Sequence, residues 1–157
     1  MALEILSRSE EQTAALAASL AKLLEPGDII FLSGQLGVGK TFFIRHAAEA
    51  LGISEPVTSP SFTMAQTYDA GHFRVHHLDL YRLSGFSADD AVDFEEYFEN
   101  DAVTFVEWPE RAKPYIEGPD VVIRIDHVDL SSRRISIESS NARIASGLEE
   151  RHAGSGD

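Results

Sequence analysis

The first third of the chain carries the hydrophobic spacing of a helix, a strand and a second helix. Leucines recur every three or four positions after a serine that can cap a helix. A short apolar run and another segment with helical spacing follow. These patterns predict helices over residues 9–24 and 40–51 and a buried strand over 29–32. We therefore expect the first elements to alternate between helix and strand.

The rest of the chain is dominated by strand patterns. Runs of β-compatible residues predict strands, a segment rich in Ser and Pro predicts a loop, and a stretch opened by Ser87 predicts a helix. The strands are expected at 62–68, 73–80, 103–106, 120–128 and 134–139, the loop at 57–62, and the helix from 87 to about 98. From about residue 141 we expect a tail with a short fraying helix, ending in a disordered HAGSGD.

This order of elements predicts an α/β protein. Helices alternate with strands early and strands cluster late, which is typical of a mixed central sheet with its parallel part first and antiparallel strands at the C-terminal end. A length of 157 residues suits a single domain, which we place at residues 1–140. Residues 141–157 are then expected to form a C-terminal tail that is partly disordered.

Composition and charge exclude several classes of protein. The chain has no cysteine, so disulfides and thiolate metal sites are excluded. Its formal net charge of −13 argues against an independent grip on a nucleic acid backbone, which needs clustered Lys and Arg. No stretch approaches the roughly 20 apolar residues that span a membrane, and the N-terminus lacks the pattern of a secretory signal. We expect a soluble cytoplasmic protein with no membrane partner.

The most specific motif is GQLGVGKT at residues 34–41, which matches the phosphate-binding pattern G-x-x-x-x-G-K-[ST]. It follows the predicted strand and opens the predicted helix, as this motif requires. Its glycines let backbone N–H groups approach a phosphate, and the following helix adds its positive end. Lys40 can place its charge at the β- and γ-phosphates, and Thr41 can offer its hydroxyl to a metal ion. The motif predicts a site for ATP with Mg²⁺.

Two acids at the ends of predicted strands could complete a magnesium site. Asp79 ends the strand over 73–80 and Glu107 follows the strand over 103–106, so both should lie at the edge where α/β proteins bind ligands. Asp79 could help to hold the metal, or it could pair with Arg82. Glu107 could bind Mg²⁺, orient the attacking water, or be a surface acid before a proline turn.

Three further features leave alternatives open. Trp108, the single tryptophan, could stack on a base, dock a partner or cover the edge of the core. The hydroxyls of residues 58–61 could sense a γ-phosphate, as switch loops do, or belong to an ordinary turn. The adjacent residues His76 and His77 should point to opposite faces of a strand, so we expect core or satisfied polar roles rather than a shared metal.

Four segments together make the chain resemble the bacterial TsaE family, formerly called YjeE. They are GQLGVGKTFFIR at 34–45, VTSPSFT at 57–63, HLDLYRL at 77–83 and EEYFENDAVTFVEWPER at 95–111. They occur in the order expected for the family, and the resemblance covers roughly residues 10–140. The family is the ATPase component of the machinery that forms threonylcarbamoyladenosine in tRNA.

The resemblance implies a three-layer P-loop NTPase fold with a mixed sheet, and it implies roles for individual residues. Asp79 would take the Walker B position, Trp108 would lie near the nucleotide, and further nucleotide contacts would fall around Glu11 and Arg133. The implied ATP-binding residues are Leu36, Gly37, Val38, Gly39, Lys40, Thr41 and Trp108. The implied catalytic residues are Lys40, Thr41, Asp79 and Glu107, of which the last three would also serve the metal.

The resemblance also implies weak ATP hydrolysis coupled to partner proteins. The partners would be TsaD and TsaB, which attach a threonylcarbamoyl group to adenosine 37 of tRNAs that read ANN codons, so tRNA would be reached only through the complex. Gln35 and Phe42 depart from the residues usual in the family, which affects details of loop hydrogen bonding. The alternatives are a small-molecule kinase, although no Arg-rich lid insertion is visible, and a binding module whose ATP state controls docking.

Overall fold

The computed structural model describes residues 2–60, 63–83, 88–99, 101–112, 116 and 118–154. Its strands are β1 (Ala2–Ser7), β2 (Ile29–Ser33), β3 (Ala65–Asp69), β4 (Arg74–Asp79), β5 (Ala102–Glu107), β6 (Val121–His127) and β7 (Arg133–Ser139). Its α-helices are α1 (Glu10–Ala21), α2 (Lys40–Ala50), α3 (Ala88–Phe94) and α4 (Ala142–Gly154), with 3₁₀ turns at Glu95–Phe98 and Pro109–Ala112.

The seven strands form one mixed sheet in the order β1-β7-β6-β2-β5-β4-β3. The four strands β6, β2, β5 and β4 run parallel to their neighbours within this group. Strands β7 and β1 continue antiparallel on one side, and β3 lies antiparallel to β4 on the other. The predicted α/β fold with a mixed sheet is confirmed, and the antiparallel strands late in the chain lie as expected.

Strand β1 was not predicted from the sequence, because this short segment is stabilised by pairing with the distant strand β7 rather than by a strong local pattern. The segment alternates between exposed and half-buried positions, and it pairs residue by residue with a strand more than 120 positions later. Leu3 and Ile5 lie opposite Ile137 and Ile135. One short run of alternating exposed and half-buried residues is weak evidence for a strand. Apolar cross-strand pairs with the isoleucines of β7 stabilise this segment as an edge strand.

The sheet buries a core on each of its two faces. The larger core contains side chains from α1, α2 and α4, and the smaller one lies under the 3₁₀ turns. Strand β2 shows the alternation directly, since Ile30 and Leu32 face the larger core while Phe31 faces the smaller one. Helix α2 presses Phe43, Ile44 and Ala47, all fully buried, onto the larger face. Helices therefore cover both faces of the sheet, which gives the molecule three layers.

Strand register brings the candidate residues to one edge. In the parallel ladders, Leu32 of β2 lies beside Glu107 of β5, and Glu107 lies beside Asp79 of β4. The carboxyl ends of β2, β5 and β4 therefore meet at the same end of the sheet. The loop after β2 and the start of α2 lie directly above this edge.

Helix α4 occupies most of the segment expected to be a tail. Ile144 and Leu148 belong to the larger core, at 0% and 2% exposure. Arg143 donates from Nη2 to both carboxylate oxygens of Asp28, at 3.0 and 3.2 Å, and from Nη1 to the carbonyl oxygen of Leu23. Residues 155–157, the end of the predicted disordered segment, lie outside the described residues.

Gly34 joins β2 to the loop at a place where no side chain fits. Its φ is +148°, and a Cβ there would lie 2.4 Å from the backbone oxygen of Ile125 on β6. We expect Gly34→Ala to lower the free energy of unfolding by about 2–3 kcal/mol, because backbone strain and a collision with backbone oppose the new methyl group. Chemical denaturation of the nucleotide-free protein measures this.

Gly37→Ala is the matched control. Gly37 also has a positive φ, +79°, but a Cβ there would meet nothing within 4 Å. Its substitution should cost only the conformational strain, about 1 kcal/mol. Equal losses for the two variants would contradict the close approach of Gly34 to β6.

A second prediction concerns the attachment of α4. Arg143→Ala removes the ion pair to Asp28, a carboxylate that is only 6% exposed, and we expect it to lower the free energy of unfolding by about 1–2 kcal/mol. The control is Arg124→Ala, which breaks an exposed pair with Asp126 and should cost well under 1 kcal/mol. Denaturant midpoints measured at one pH compare the two, and equal midpoints would count against the anchoring role of Arg143.

Candidate functional site

The loop between β2 and α2 has the backbone of a phosphate cradle. Gly37 and Gly39 both adopt left-handed conformations, with φ of +79° and +116°, and Gly39 caps α2. The N–H of Val38 donates to the Gln35 carbonyl at 3.2 Å, which closes a turn inside the loop. Successive N–H groups in such a loop, followed by a helix N-terminus, form a concave site for an anion.

Lys40 begins α2 and lies folded over its own loop. Its side-chain ammonium donates to the carbonyl oxygens of Gly34 at 2.5 Å and Gln35 at 3.1 Å. It also lies 4.1 Å from the ring centroid of Trp108, a distance that suits a cation–π contact. The residue is only 4% exposed, so its charge is held inside the site rather than in solvent.

Burial lowers the pKa of the Lys40 ammonium from its ordinary value, because the charged form loses hydration. The negative charges of Glu107, Asp79 and Glu110 act in the opposite sense and raise this pKa. A triphosphate placed in the loop would add further negative charge beside the ammonium and favour the protonated lysine in the same way.

Thr41 and Glu107 are joined by a hydrogen bond. The Thr41 hydroxyl donates to Oε2 of Glu107 at 2.9 Å. The same oxygen lies 2.6 Å from Nε2 of His77, a side chain with no exposed surface. Glu107 is itself only 3% exposed, so the notion of a surface acid before a proline turn is wrong. The carboxylate lies beside the first turn of α2 and lines the same cavity as the loop.

Asp79 lies at the carboxyl end of β4, beside Glu107 in the ladder. It accepts hydrogen bonds from the backbone N–H of Tyr81 at 3.1 Å and from the Ser59 hydroxyl at 3.2 Å. Through Ser59 it ties the segment predicted at residues 58–61 to the site. Ser61 lies outside the described residues.

Trp108 follows Glu107 with a φ of +58°, which is uncommon for a residue other than glycine. Its half-buried ring packs against the smaller core and lies 5.0 Å from the ring of Tyr81. The guanidinium of Arg111 lies 5.9 Å from the centroid of the Trp108 ring. The indole therefore covers both Lys40 and an edge of the core, which agrees with one of the three alternatives that the sequence left open.

One cavity of about 300 Å³ collects most of the predicted residues. It is formed by the loop, the start of α2 and the ends of β4 and β5. Its lining includes Leu36, Gly37, Gly39, Lys40, Thr41, Asp79, Glu107 and Trp108. Of the predicted ATP-binding residues, Val38 does not line this cavity; it packs into the larger core and lines the adjoining cavity instead.

A second cavity, of about 510 Å³, lies beside the first. The two share Gly37, Gly39 and Phe42. The start of α1 and the turn between β6 and β7 form its walls, which include Glu11 and Arg133, the positions that the family resemblance implied. Arg133 donates from Nε to the Val38 carbonyl at 3.0 Å and so braces the loop from this side.

Sequence reasoning missed several other residues that line this second cavity, among them Arg8, Leu130 and Ser131. Leu130 is fully exposed at the tip of the β6–β7 turn. These residues belong to no motif, and they come together only because β1, β7 and β6 are neighbours in the sheet. No local signal in the sequence could have found them.

The residues around Thr41 suit a hard cation. The available donors are the Thr41 hydroxyl and the carboxylates of Glu107 and Asp79, all of them oxygen atoms, which Mg²⁺ prefers. Among the described residues no group of three or more His, Cys, Asp or Glu side chains could hold a metal alone.

His76 and His77 do not form a metal pair. His76 bonds through Nδ1 to the hydroxyl of Thr67 at 2.8 Å, while His77 turns to Glu107 on the other face of β4. The opposite directions follow from strand geometry, as the sequence predicted. Within the described ranges, no helix has the length and apolar character needed to cross a bilayer.

The model of the family described as "Threonylcarbamoyl adenosine biosynthesis protein TsaE" matches residues 7–135. Relatives named "tRNA threonylcarbamoyladenosine biosynthesis protein TsaE" include those of Rickettsia conorii, 38% identical over 82% of this chain and 74% of the relative, and of Aquifex aeolicus, 36% identical over 85% and 94%. The relative from Bacillus subtilis is 35% identical over 89% of this chain and 87% of its own.

A solved structure agrees with these sequence matches. The crystal structure of Bacillus subtilis YdiB superposes with a TM-score of 0.80 and 31% identity, covering 98% of this chain and 97% of the other. The matched region contains the phosphate loop, both strand-end acids and the turn between β6 and β7. The fold, the loop and the matches agree, and the chain therefore belongs to the TsaE family.

Proposed function

We propose that this protein is a weak ATPase that binds ATP with Mg²⁺ and acts in the formation of threonylcarbamoyladenosine in tRNA. The observation that carries the proposal is the single cavity lined by Lys40, Thr41, Asp79 and Glu107 above the carboxyl edge of the sheet. It adjoins the larger cavity through Gly37 and Gly39, so a triphosphate could occupy one and a nucleoside the other.

The loop would bind the phosphates through backbone N–H groups and one ammonium. Lys40 donates to two carbonyl oxygens of its own loop, and carbonyl oxygens are weaker acceptors than phosphate oxygens. A bound triphosphate would replace these carbonyls as the acceptor, at no cost in burying the lysine, because it is already buried. The half-buried Trp108 ring would limit the access of water to this ammonium.

Thr41 and Glu107 would hold the metal, with Asp79 close to it. A magnesium ion held there would supply positive charge that offsets the charge of the phosphate oxygens during attack by water. Glu107 already accepts the Thr41 hydroxyl proton, which leaves the hydroxyl oxygen available to a cation. Asp79 would link the Ser59 segment to the γ-phosphate end of the site through their hydrogen bond.

Membership of the TsaE family and the names of the relatives support the proposed role in tRNA modification. We propose that TsaD and TsaB are the partners and that adenosine 37 of tRNAs reading ANN codons is the modified base. A chain with a net charge of −13 would repel a tRNA backbone, which supports indirect action through partners that hold the RNA. The cytoplasm, where tRNA is modified, is the proposed location.

Lys40→Ala tests nucleotide binding. The variant loses the only ammonium in the cavity among the described residues, so we expect ATP affinity to fall by on the order of 100-fold or more in calorimetry. Lys22→Ala is the control, since Lys22 is exposed at the end of α1, and its ATP affinity should be unchanged. An affinity of the Lys40 variant equal to that of the wild type would refute the phosphate site.

A second test concerns partners and product. We expect TsaD with TsaB to stimulate ATP turnover, and Glu107→Gln to lower the stimulated rate by about tenfold or more, because the amide cannot neutralise a metal. The control Glu138→Gln changes an exposed acid on β7 and should hydrolyse ATP at the normal stimulated rate.

A cellular test measures the product. In cells depleted of this protein, the wild-type chain should restore threonylcarbamoyladenosine in tRNA, measured by mass spectrometry, and the Lys40→Ala variant should not.

The same experiment separates the proposal from a small-molecule kinase. A rate of ATP hydrolysis that is unchanged at saturating TsaD and TsaB would contradict the proposed partners. Transfer of the γ-phosphate to a nucleoside or metabolite in an acceptor panel would identify a kinase instead. Restoration of the modified nucleoside by Glu107→Ala and Asp79→Ala together would indicate a binding module that needs no hydrolysis.

A further inference from the structure

The side chain of His77 lies buried under the candidate site, and none of the roles proposed above uses it. It projects from β4 on the same face as Asp79, two residues later, and none of its surface is exposed. Its Nε2 lies 2.6 Å from Glu107 Oε2, the oxygen that also accepts from the Thr41 hydroxyl. A single carboxylate oxygen thus connects His77 to Thr41.

The chemistry of these groups fixes the direction of the hydrogen bond. An ionised carboxylate can only accept, so Nε2 of His77 carries the proton and donates to Glu107. Nδ1 of His77 is buried and has no hydrogen-bond partner in the described part of the chain. A proton on Nε2 has Glu107 as its acceptor, whereas a proton on Nδ1 would make a buried N–H without an acceptor.

We propose that His77 is a positioning residue of this site, an inference that rests on the proposed function. Its N–H fixes the carboxylate of Glu107, and that carboxylate holds the hydroxyl proton of Thr41. The lone pairs of the Thr41 oxygen are then free for a cation, and Oε1 of Glu107 has no donor among the described residues. His77 therefore orients two oxygen ligands for Mg²⁺ without touching the metal.

Strand register explains why a residue at this position can act in this way. His77 lies beside Phe105 in the parallel ladder, and Glu107 is the next residue of β5 on the same face. The imidazole reaches diagonally to the acid from beneath the cavity. Loss of such a hydrogen-bonded support typically weakens metal binding by about 10–100-fold while the ligands themselves remain.

The test measures how much Mg²⁺ strengthens binding of a non-hydrolysable ATP analogue, by calorimetry with Mg²⁺ and with EDTA. In His77→Leu we expect this magnesium-dependent gain to shrink by about tenfold or more, while affinity in EDTA, which reports the loop and Lys40, is retained. His77→Gln keeps an N–H donor at similar reach and should restore most of the gain.

His76→Leu is the matched control for losing a buried imidazole from β4. His76 is 3% exposed and faces away from Glu107, towards Thr67 and Tyr97. The His76→Leu variant should have a lower thermal unfolding midpoint and an unchanged magnesium-dependent gain in affinity. The same unfolding scan identifies a variant that fails to fold. In that case the folded variants and the tautomer of His77 in the wild-type protein test the proposal.

The tautomer of His77 tests the proposal in the wild-type protein, without nucleotide and without a substitution. In wild-type protein labelled with ¹⁵N-histidine, His77 should show a protonated Nε2 and an unprotonated Nδ1. A proton on Nδ1 instead would overturn the proposal, since Nε2 could then no longer donate to Glu107.

The outcomes separate this inference from the proposed function. A wild type that binds no ATP analogue, or binds it equally with and without Mg²⁺, contradicts the proposed function itself. A wild type with a clear magnesium-dependent gain that His77→Leu retains leaves the function standing and overturns the role of His77. An equal loss in folded His77→Leu and His77→Gln also overturns it, because the N–H donor would then not be what matters.

Discussion

A carboxylate that is almost fully buried must be given hydrogen-bond donors, and this requirement organises the site around Glu107. At 3% exposure its charge has little access to water, and the bonds from Thr41 and His77 replace that hydration. One donor comes from the first turn of α2 and the other from β4. The acid therefore couples the helix that follows the phosphate loop to the strand that carries Asp79.

The phosphate loop is held from both sides by contacts that its motif does not specify. On one side Gly34 approaches the backbone of β6 so closely that no side chain would fit, and Arg133 of β7 donates to the carbonyl of Val38. On the other side Trp108 covers Lys40. These contacts fix the loop through residues that lie outside its motif. They also make the loop a boundary shared by two cavities.

The edges of the sheet serve the site indirectly. Strands β7 and β6 supply the turn that walls the larger cavity, and β1 covers β7. Helix α4 closes the core behind α1 through Ile144 and Leu148, and Arg143 ties it to Asp28 just before β2. The last third of the chain is therefore joined to the strand from which the phosphate loop emerges, although none of the described side chains of α4 lines either cavity.

The sequence by itself determined what depends on neighbours along the chain. The glycines, Lys40 and Thr41 form a continuous motif, and its strand–loop–helix context can be read from hydrophobic spacing. The placement of Asp79 and Glu107 at one edge also followed, because parallel strands end together. Only the tertiary structure decided β1, the packing of α4, the wall that contains Leu130, and the contact of His77 with Glu107. Each of these depends on residues tens of positions apart meeting in the sheet, and local periodicity carries no information about which strands become neighbours.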